Sequence, residues 1–317
     1  MNTNAHPTHL ISSEVRKKRT KLYYSRYWQL YCMILPGIMF FFLFKYVPIL
    51  GSVIAFQDYN VYKGILGSPF VGLKHFETLF TYPEFLKILQ NTVFISIYQL
   101  VFGFPAPIIL ALLLNEVRKM WFKRSVQTIV YLPHFLSWVI VGGLVINVLS
   151  PNYGIINEIL EFLGMERIFF MQQPEFFRSI VVASGIWKEV GWNAIIYLAA
   201  LASINTEMYE AADVDGAGRF RKMISITLPS ILPTIMILFL LRIGHLLDLG
   251  FEQIYMLLNP LIAEKGQIID TYIYTVGLLG GQYSYTTAIG IFKSVVGLML
   301  IFSFNQISKK LTGETLY

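Results

Sequence analysis

The stretch "MYEAADVDGAGRFRKMISITLP", Met208 to Pro229, decides how this chain is read. It is polar and rich in small residues, yet long apolar runs flank it on both sides. Taken alone it predicts a short helix of about three turns, capped by Asn205 or Thr206, favoured at its positive end by Glu207 and Glu210, and stopped at Gly216. Ala211 and Ala212 leave its middle almost bare, so another protein's surface can approach closely, while Met208 and Tyr209 offer apolar anchors. Beyond Gly216, Arg219, Arg221 and Lys222 suit lipid headgroups or pairing with Asp213 and Asp215, and "ITLP" returns to apolar sequence.

The flanking runs set the solvent. Of 317 residues, 55% are hydrophobic and 14% charged, and the mean hydropathy is +0.58, too apolar for a water-soluble domain of this length. A hydrocarbon core about 30 Å thick needs about 20 apolar residues per helical span, and continuous runs indicate helices rather than barrel strands. Six spans are predicted, at about 28–54, 91–114, 126–149, 179–203, 229–248 and 285–307. Lys45, Pro36 and Pro48 interrupt the first, and Pro229 and Pro233 are placed at the start of the fifth. The first span follows "RKKRTK" without a small-residue cleavage site, so it is expected to be retained. The connecting segments 55–90, 150–178 and 249–284 are rich in Phe, Tyr and Pro and are expected to be folded.

Lys and Arg counts give an orientation. With the N-terminus inside, Arg16, Lys17, Lys18, Arg19, Lys21, Arg26, the loop Arg118/Lys119/Lys123/Arg124, the stretch Arg219/Arg221/Lys222 and Lys309/Lys310 place fifteen basic residues on one face. Six lie on the other: Lys63, Lys74, Lys87, Arg167, Arg178 and Lys265. The positive-inside rule then puts both termini, and the helix around Ala211, in the cytoplasm. The net charge of +6 is explained by loops facing anionic lipid and calls for no nucleic acid. A basic tail (1–27), a transmembrane domain (28–307, with its polar loop at about 205–228) and a C-terminal tail (308–317) complete the expected organisation. A single cysteine, Cys32, excludes an intrachain disulfide and a multi-cysteine metal site, and no metal site is expected.

The spacing Glu-Ala-Ala, three residues, Gly, nine residues, Ile-x-Leu-Pro is met by Glu210, Ala211, Ala212, Gly216, Ile226, Leu228 and Pro229. It resembles the EAA loop of the permease subunits of binding-protein-dependent ABC importers. "YLPHFLSWVIVGGL", "GIWKEVGWNAIIYLAALASIN", "FEQIYMLLNP" and "GQYSYTTAIGIFKSVVGLMLI" extend the resemblance over about residues 28–312, to the sugar permeases that handle oligo- and polysaccharides, including uronates such as alginate. Asn205-Thr206 departs from the pattern, since many relatives carry proline before this helix. The resemblance implies an all-α integral membrane protein of the type I ABC importer permease fold, in a bacterial inner membrane, not itself an enzyme and without a cofactor of its own. It also implies a second related permease, two ATP-binding subunits and an extracytoplasmic sugar-binding protein. Tyr209, Glu210, Ala211, Ala212, Asp215 and Gly216 would form the contact for the ATPase. No phosphate-binding loop is present: "GIFKS" at Gly290–Ser294 lacks the glycine before its lysine, so ATP would be hydrolysed elsewhere.

Charges at membrane depth are costly and therefore informative. Lys188, Glu189, Arg242, Asp248 and Lys293 stand out, and His245 is expected to join Arg242 and Asp248 along one face of the fifth helix. Pairing or snorkelling is the competing account for Lys188, Asp248 and Lys293. A sugar presents C–H patches and hydroxyl edges together, so Trp187, Trp192, Asn193 and Tyr197 are candidates for its pathway, with packing as their competing role. If the cargo is acidic, Lys188 and Arg242 would pair its carboxylates. A secondary transporter would need ion-coupling carboxylates and an inverted repeat. A membrane-embedded polysaccharide enzyme would need paired carboxylates or a metal cluster, whereas the acidic residues are scattered and His6, His9 and His134 stand in the tail or apart.

Overall fold

The computed structural model describes residues 13–312, and the chain there is almost entirely helical, with one isolated antiparallel bridge, Gln57 to Phe70, and no strand among the described residues. Residues 1–12, with His6 and His9, and residues 313–317 lie outside the described residues, so the two predicted tails are covered only in part.

Among the described residues, four helices are long and apolar enough to cross a membrane: α1 (Arg26–Phe56), α3 (Pro83–Glu116), α9 (Arg219–Gly244) and α12 (Tyr283–Gln306). Between them lie α2 (Lys74–Thr81), α4 (Met120–Phe135), α5 (Trp138–Val148), α6 (Ile155–Phe162), α7 (Pro174–Ala202), α8 (Glu207–Val214), α10 (Phe251–Leu257) and α11 (Ile269–Tyr272).

Three departures from the sequence reading have local causes. The predicted span 126–149 is not straight, because α4 and α5 meet at 106°. Pro133 tightens the end of α4, and Ser137 opens α5 by accepting the Ile140 amide at 3.4 Å. The predicted span 179–203 lies in α7, whose 29 residues rise about 43 Å. It falls outside the four apolar helices because Lys188, Glu189 and Asn193 interrupt its middle. The predicted fifth span, 229–248, begins earlier and ends sooner, since α9 runs from Arg219 through a π-helical stretch, Met223–Thr227, and past both prolines before stopping at Gly244. Pro229 does not open a new helix, because the wider preceding turn accommodates its missing amide. Arg242 therefore sits in the last turn of α9, and His245 and Asp248 lie beyond its end.

Three buried clusters hold the bundle. Ala55, Leu79, Phe85, Ile88, Tyr272 and Ile289 tie α1, α2, α3, α11 and α12 at one end. Phe177, Val181, Ile95, Ile254 and Leu257 join α7 to α3 and α10 in the middle. Ala111, Ala194, Tyr197, Leu201 and Ile231 join α3, α7 and α9 toward the other end. Residues on α7 contribute to the last two clusters, so this polar-centred helix is the axis of the fold. By contrast α1 is almost wholly exposed, with Met33 78% and Leu50 76% accessible, as a helix facing lipid or a second subunit requires.

One amide organises the segment between α5 and α7. Asn157 on α6 is fully buried; its Nδ2 donates to the carbonyls of Leu149, Ser150 and Ile168 at 3.3, 3.1 and 3.0 Å, and its Oδ1 accepts the Ile168 amide at 2.7 Å. Asn157→Ala orphans these groups and is expected to destabilise the segment by about 2–3 kcal/mol. The purified transporter should then melt several degrees lower, and an unchanged melting temperature would disprove the assignment.

Candidate functional site

A cavity of about 480 Å³ opens beside the middle of α7, between α3, α5, α9 and α10. Its polar lining is Gln99, Glu189, Asn193, Tyr197, Arg242, Asp248 and Gln253, set among Phe104, Pro107, Trp138 and Leu238. Gln99 comes from a π-helical turn of α3, Gln99–Gly103, which breaks the regular register there. Asn193 and Tyr197 share a face of α7 at helical spacing, and Arg242 enters from the last turn of α9.

Five residues singled out from the sequence, Glu189, Asn193, Tyr197, Arg242 and Asp248, thus meet in one cavity. Lys188, Trp187, Trp192 and His245 do not line it. Lys188 is only 5% exposed and stands behind the wall, where its Nζ donates to the His134 carbonyl at 2.7 Å and to Glu189 Oε1 at 3.0 Å, with the Trp138 ring 5.4 Å away. Trp192 stacks flat on the His134 ring, with centroids 4.3 Å apart, and Trp187 is half exposed away from the cavity. His245 is not on a shared helix face with Arg242, because α9 has ended; its ring is exposed and pairs with Asp248 Oδ2 at 3.0 Å.

His134, which the sequence leaves apart from other polar groups, belongs to this network. The bend between α4 and α5 turns its carbonyl and ring toward α7, and its Nδ1 lies 2.7 Å from Glu189 Oε2. Asp248 is held on its other side by Lys293 of α12 at 2.6 Å, and the same ammonium reaches Asp270 at 2.6 Å. Arg242 differs from these charges. Its guanidinium donates to the neutral Gln99 Oε1 at 2.5 Å, and among the described residues it makes no ion pair. Gln99, Gln253, Asp270 and His134 were missed as site residues; the "LPHFLS" break signal could have drawn attention to His134.

A second assembly surrounds α8. Asn205 Oδ1 accepts the Glu207 amide at 3.0 Å and so starts the helix; Thr206 makes no side-chain cap. At the far end Gly216 has φ +73°, its amide meets the Asp213 carbonyl at 3.1 Å, and the Ala217 amide meets Ala212 at 2.9 Å, a Schellman closure. The helix is pinned to α9 by Tyr209 Oη against Thr227 Oγ1 at 2.9 Å and by Lys222 to Asp213 at 2.6 Å. Tyr209 is therefore half-buried, an internal strut as well as a surface group. Glu210, Ala211, Asp215 and the large side chains of Met208, Val214 and Phe220 are exposed, with Ala212 half-buried. The result is an apolar-tipped knob braced on a long helix.

The chain is 51% identical to the polygalacturonan/rhamnogalacturonan transport system permease protein YteP of Bacillus subtilis, over 97% of this chain and 96% of that one. It is 30% identical to the arabinooligosaccharides transport system permease protein AraP of Bacillus subtilis, covering 92% and 91% respectively. Its fold matches a chain in the crystal structure of a bacterial ABC transporter involved in the import of the acidic polysaccharide alginate, with TM-score 0.86 and 46% identity over 93% of this chain and 99% of that one. A second match, at TM-score 0.85 and 45% identity over 92% and 98% of the two chains, is the alginate transporter in complex with an alginate pentasaccharide-bound periplasmic protein. Residues 103–313 match the binding-protein-dependent transport system inner membrane components, and the chain belongs to that family.

Proposed function

We propose that the chain is the transmembrane permease subunit of an ATP-driven importer that moves an acidic oligo- or polysaccharide across a bacterial inner membrane by alternating access. It crosses six times, with α4 and α5 together and α7 alone supplying the two crossings beyond the four apolar helices, and both termini are cytoplasmic. Support for the substrate class comes from relatives named for polygalacturonan and alginate. One observation carries it: Arg242 faces the cavity with a neutral hydrogen-bond partner, Gln99, and makes no ion pair among the described residues, although Asp248 lines the same cavity. A uronate carboxylate supplies the missing charge in a fork-to-fork pairing. Trp138, Phe104 and Tyr197 give the cavity apolar faces for pyranose C–H groups, and Asn193 and Gln253 give amides for hydroxyls.

ATP is bound and hydrolysed by two partner subunits, which close against α8, the EAA helix, through Glu210, Ala211, Ala212, Asp215 and the Met208–Tyr209 edge. A second, related permease completes the pathway, a periplasmic binding protein delivers the sugar, and the chain carries no cofactor. Since a nucleotide shifts an equilibrium only through differential contacts, the element it pushes must stay attached in both states. The Tyr209–Thr227 and Asp213–Lys222 contacts supply that attachment.

In the reconstituted transporter, Arg242→Ala is expected to lower uptake of an acidic oligosaccharide by about ten- to a hundredfold, the worth of a charge-assisted hydrogen-bonded pair. Its methyl ester should lose much less. Equal losses for acid and ester would reject the carboxylate reading.

A further inference from the structure

Arg242 shares the cavity wall with two carboxylates, Glu189 and Asp248. Left bare, these would repel an anionic cargo at close range and cancel the guanidinium. Neither is bare. Glu189 is held by Lys188 at 3.0 Å and by His134 at 2.7 Å, while Asp248 is held by Lys293 at 2.6 Å and by His245 at 3.0 Å. Both lysines sit behind the lining, with side chains 7% and 15% exposed, whereas Glu189 and Asp248 keep 34% and 54%. The cations are thus withdrawn from cargo and the carboxylates are presented.

Stability does not account for this construction. A buried ion pair is often matched or bettered by apolar residues of the same volume, because desolvating both charges offsets their attraction. At a membrane helix centre the cost is higher still. A cavity for an acidic saccharide, however, must accept from hydroxyls and still attract a carboxylate. A carboxylate sheathed by an ammonium does both: its free lone pairs accept hydrogen bonds, while its charge is cancelled.

We infer that Lys188 sets the charge selectivity of the cavity by neutralising Glu189 from behind, so that this carboxylate accepts from cargo hydroxyls without opposing the attraction of Arg242 for a cargo carboxylate. It is a positioning residue and does not touch the sugar. The inference rests on the acidic-cargo reading. Asp270, which shares Lys293 at 2.6 Å, and the two histidines complete the charged surroundings.

The test uses the whole reconstituted transporter with its binding protein, an acidic oligosaccharide and its methyl ester. Lys188→Met uncovers Glu189 and is expected to raise the KM for the acid about tenfold, with the ester changed less than threefold. Removing the uncovered charge in Lys188→Met/Glu189→Gln should bring the acid KM back to within about threefold of the unmodified transporter. A merely structural lysine predicts the opposite, equal loss for both cargoes and no recovery in the double variant, and that result would overturn the inference. If a single variant fails to assemble, its charge-balanced double decides: acid uptake retained supports the inference, acid uptake lost overturns it. Failure of the acidic-cargo reading itself shows separately, as Arg242→Ala harming acid and ester alike.

Discussion

Gly216→Val is expected to lower sugar uptake at least tenfold while leaving the helical bundle assembled. Gly216 holds φ +73° at the end of α8, and a Cβ there would meet nothing within 4 Å, so the objection to a side chain is wholly in the backbone. A β-branched residue in that conformation costs about 1–3 kcal/mol, and the chain relieves it by opening the last turn. That forfeits the Ala217–Ala212 and Gly216–Asp213 closures and turns Asp213 away from Lys222. The knob then hangs loosely from α9, and movement of an ATPase is spent on bending it. Uptake should fall at least tenfold, with residual ATPase activity no longer stimulated by loaded binding protein. Because asparagine tolerates this region far better than valine, Gly216→Asn should keep most uptake and Gly216→Ala should fall between. Wild-type uptake by the valine variant, measured in proteoliposomes, would refute the coupling role of α8.

The second large effect is on assembly. A Cβ on Gly191 would collide with the Val130 carbonyl and lie 3.0 Å from the Tyr131 ring. Here α7 rests directly on the backbone of α4, and neither can retreat without moving the bend that positions His134. Even Gly191→Ala should cost about 1–3 kcal/mol, and more because the obstacle is main chain; Gly191→Val should leave little folded subunit in the membrane. Gly143 on α5 is the matched control, since a Cβ there meets nothing within 4 Å. Gly143→Ala should leave the subunit's yield and melting unchanged. Equal yields for the Gly191 and Gly143 variants on size-exclusion chromatography would contradict the close approach.

The sequence showed the helices most clearly where one residue decides one local event. Long apolar runs reveal α1, α3, α9 and α12, and Gly216 ends α8 where a left-handed residue is required. What escaped were consequences of helices meeting. Pro133 and Ser137 signal a break, but the 106° turn exists because α4 must lie on Gly191 while α5 packs Gly142 against Met256. Arg242, Asn193, Tyr197 and Asp248 were identifiable because polar groups in apolar runs are expensive. Gln99 was not, since a glutamine near a helix centre carries no alarm until a π-turn aims it at a guanidinium. The Arg242–His245–Asp248 spacing misled for a related reason: three-residue steps imply a shared face only while the helix continues, and α9 stops at Gly244.

In the proposed mechanism, α8 is the place where another polypeptide's work enters the bundle. Ala211 is exposed on that helix, and Cys32 is the only native thiol to be removed first. With Cys32→Ser and Ala211→Cys in the assembled transporter, a short bismaleimide should join this chain to a nucleotide-binding subunit bearing a cysteine in its facing groove, and the bond should block uptake. Labelling of that cysteine from the periplasmic side of intact cells, with no adduct to the nucleotide-binding subunit, would contradict it.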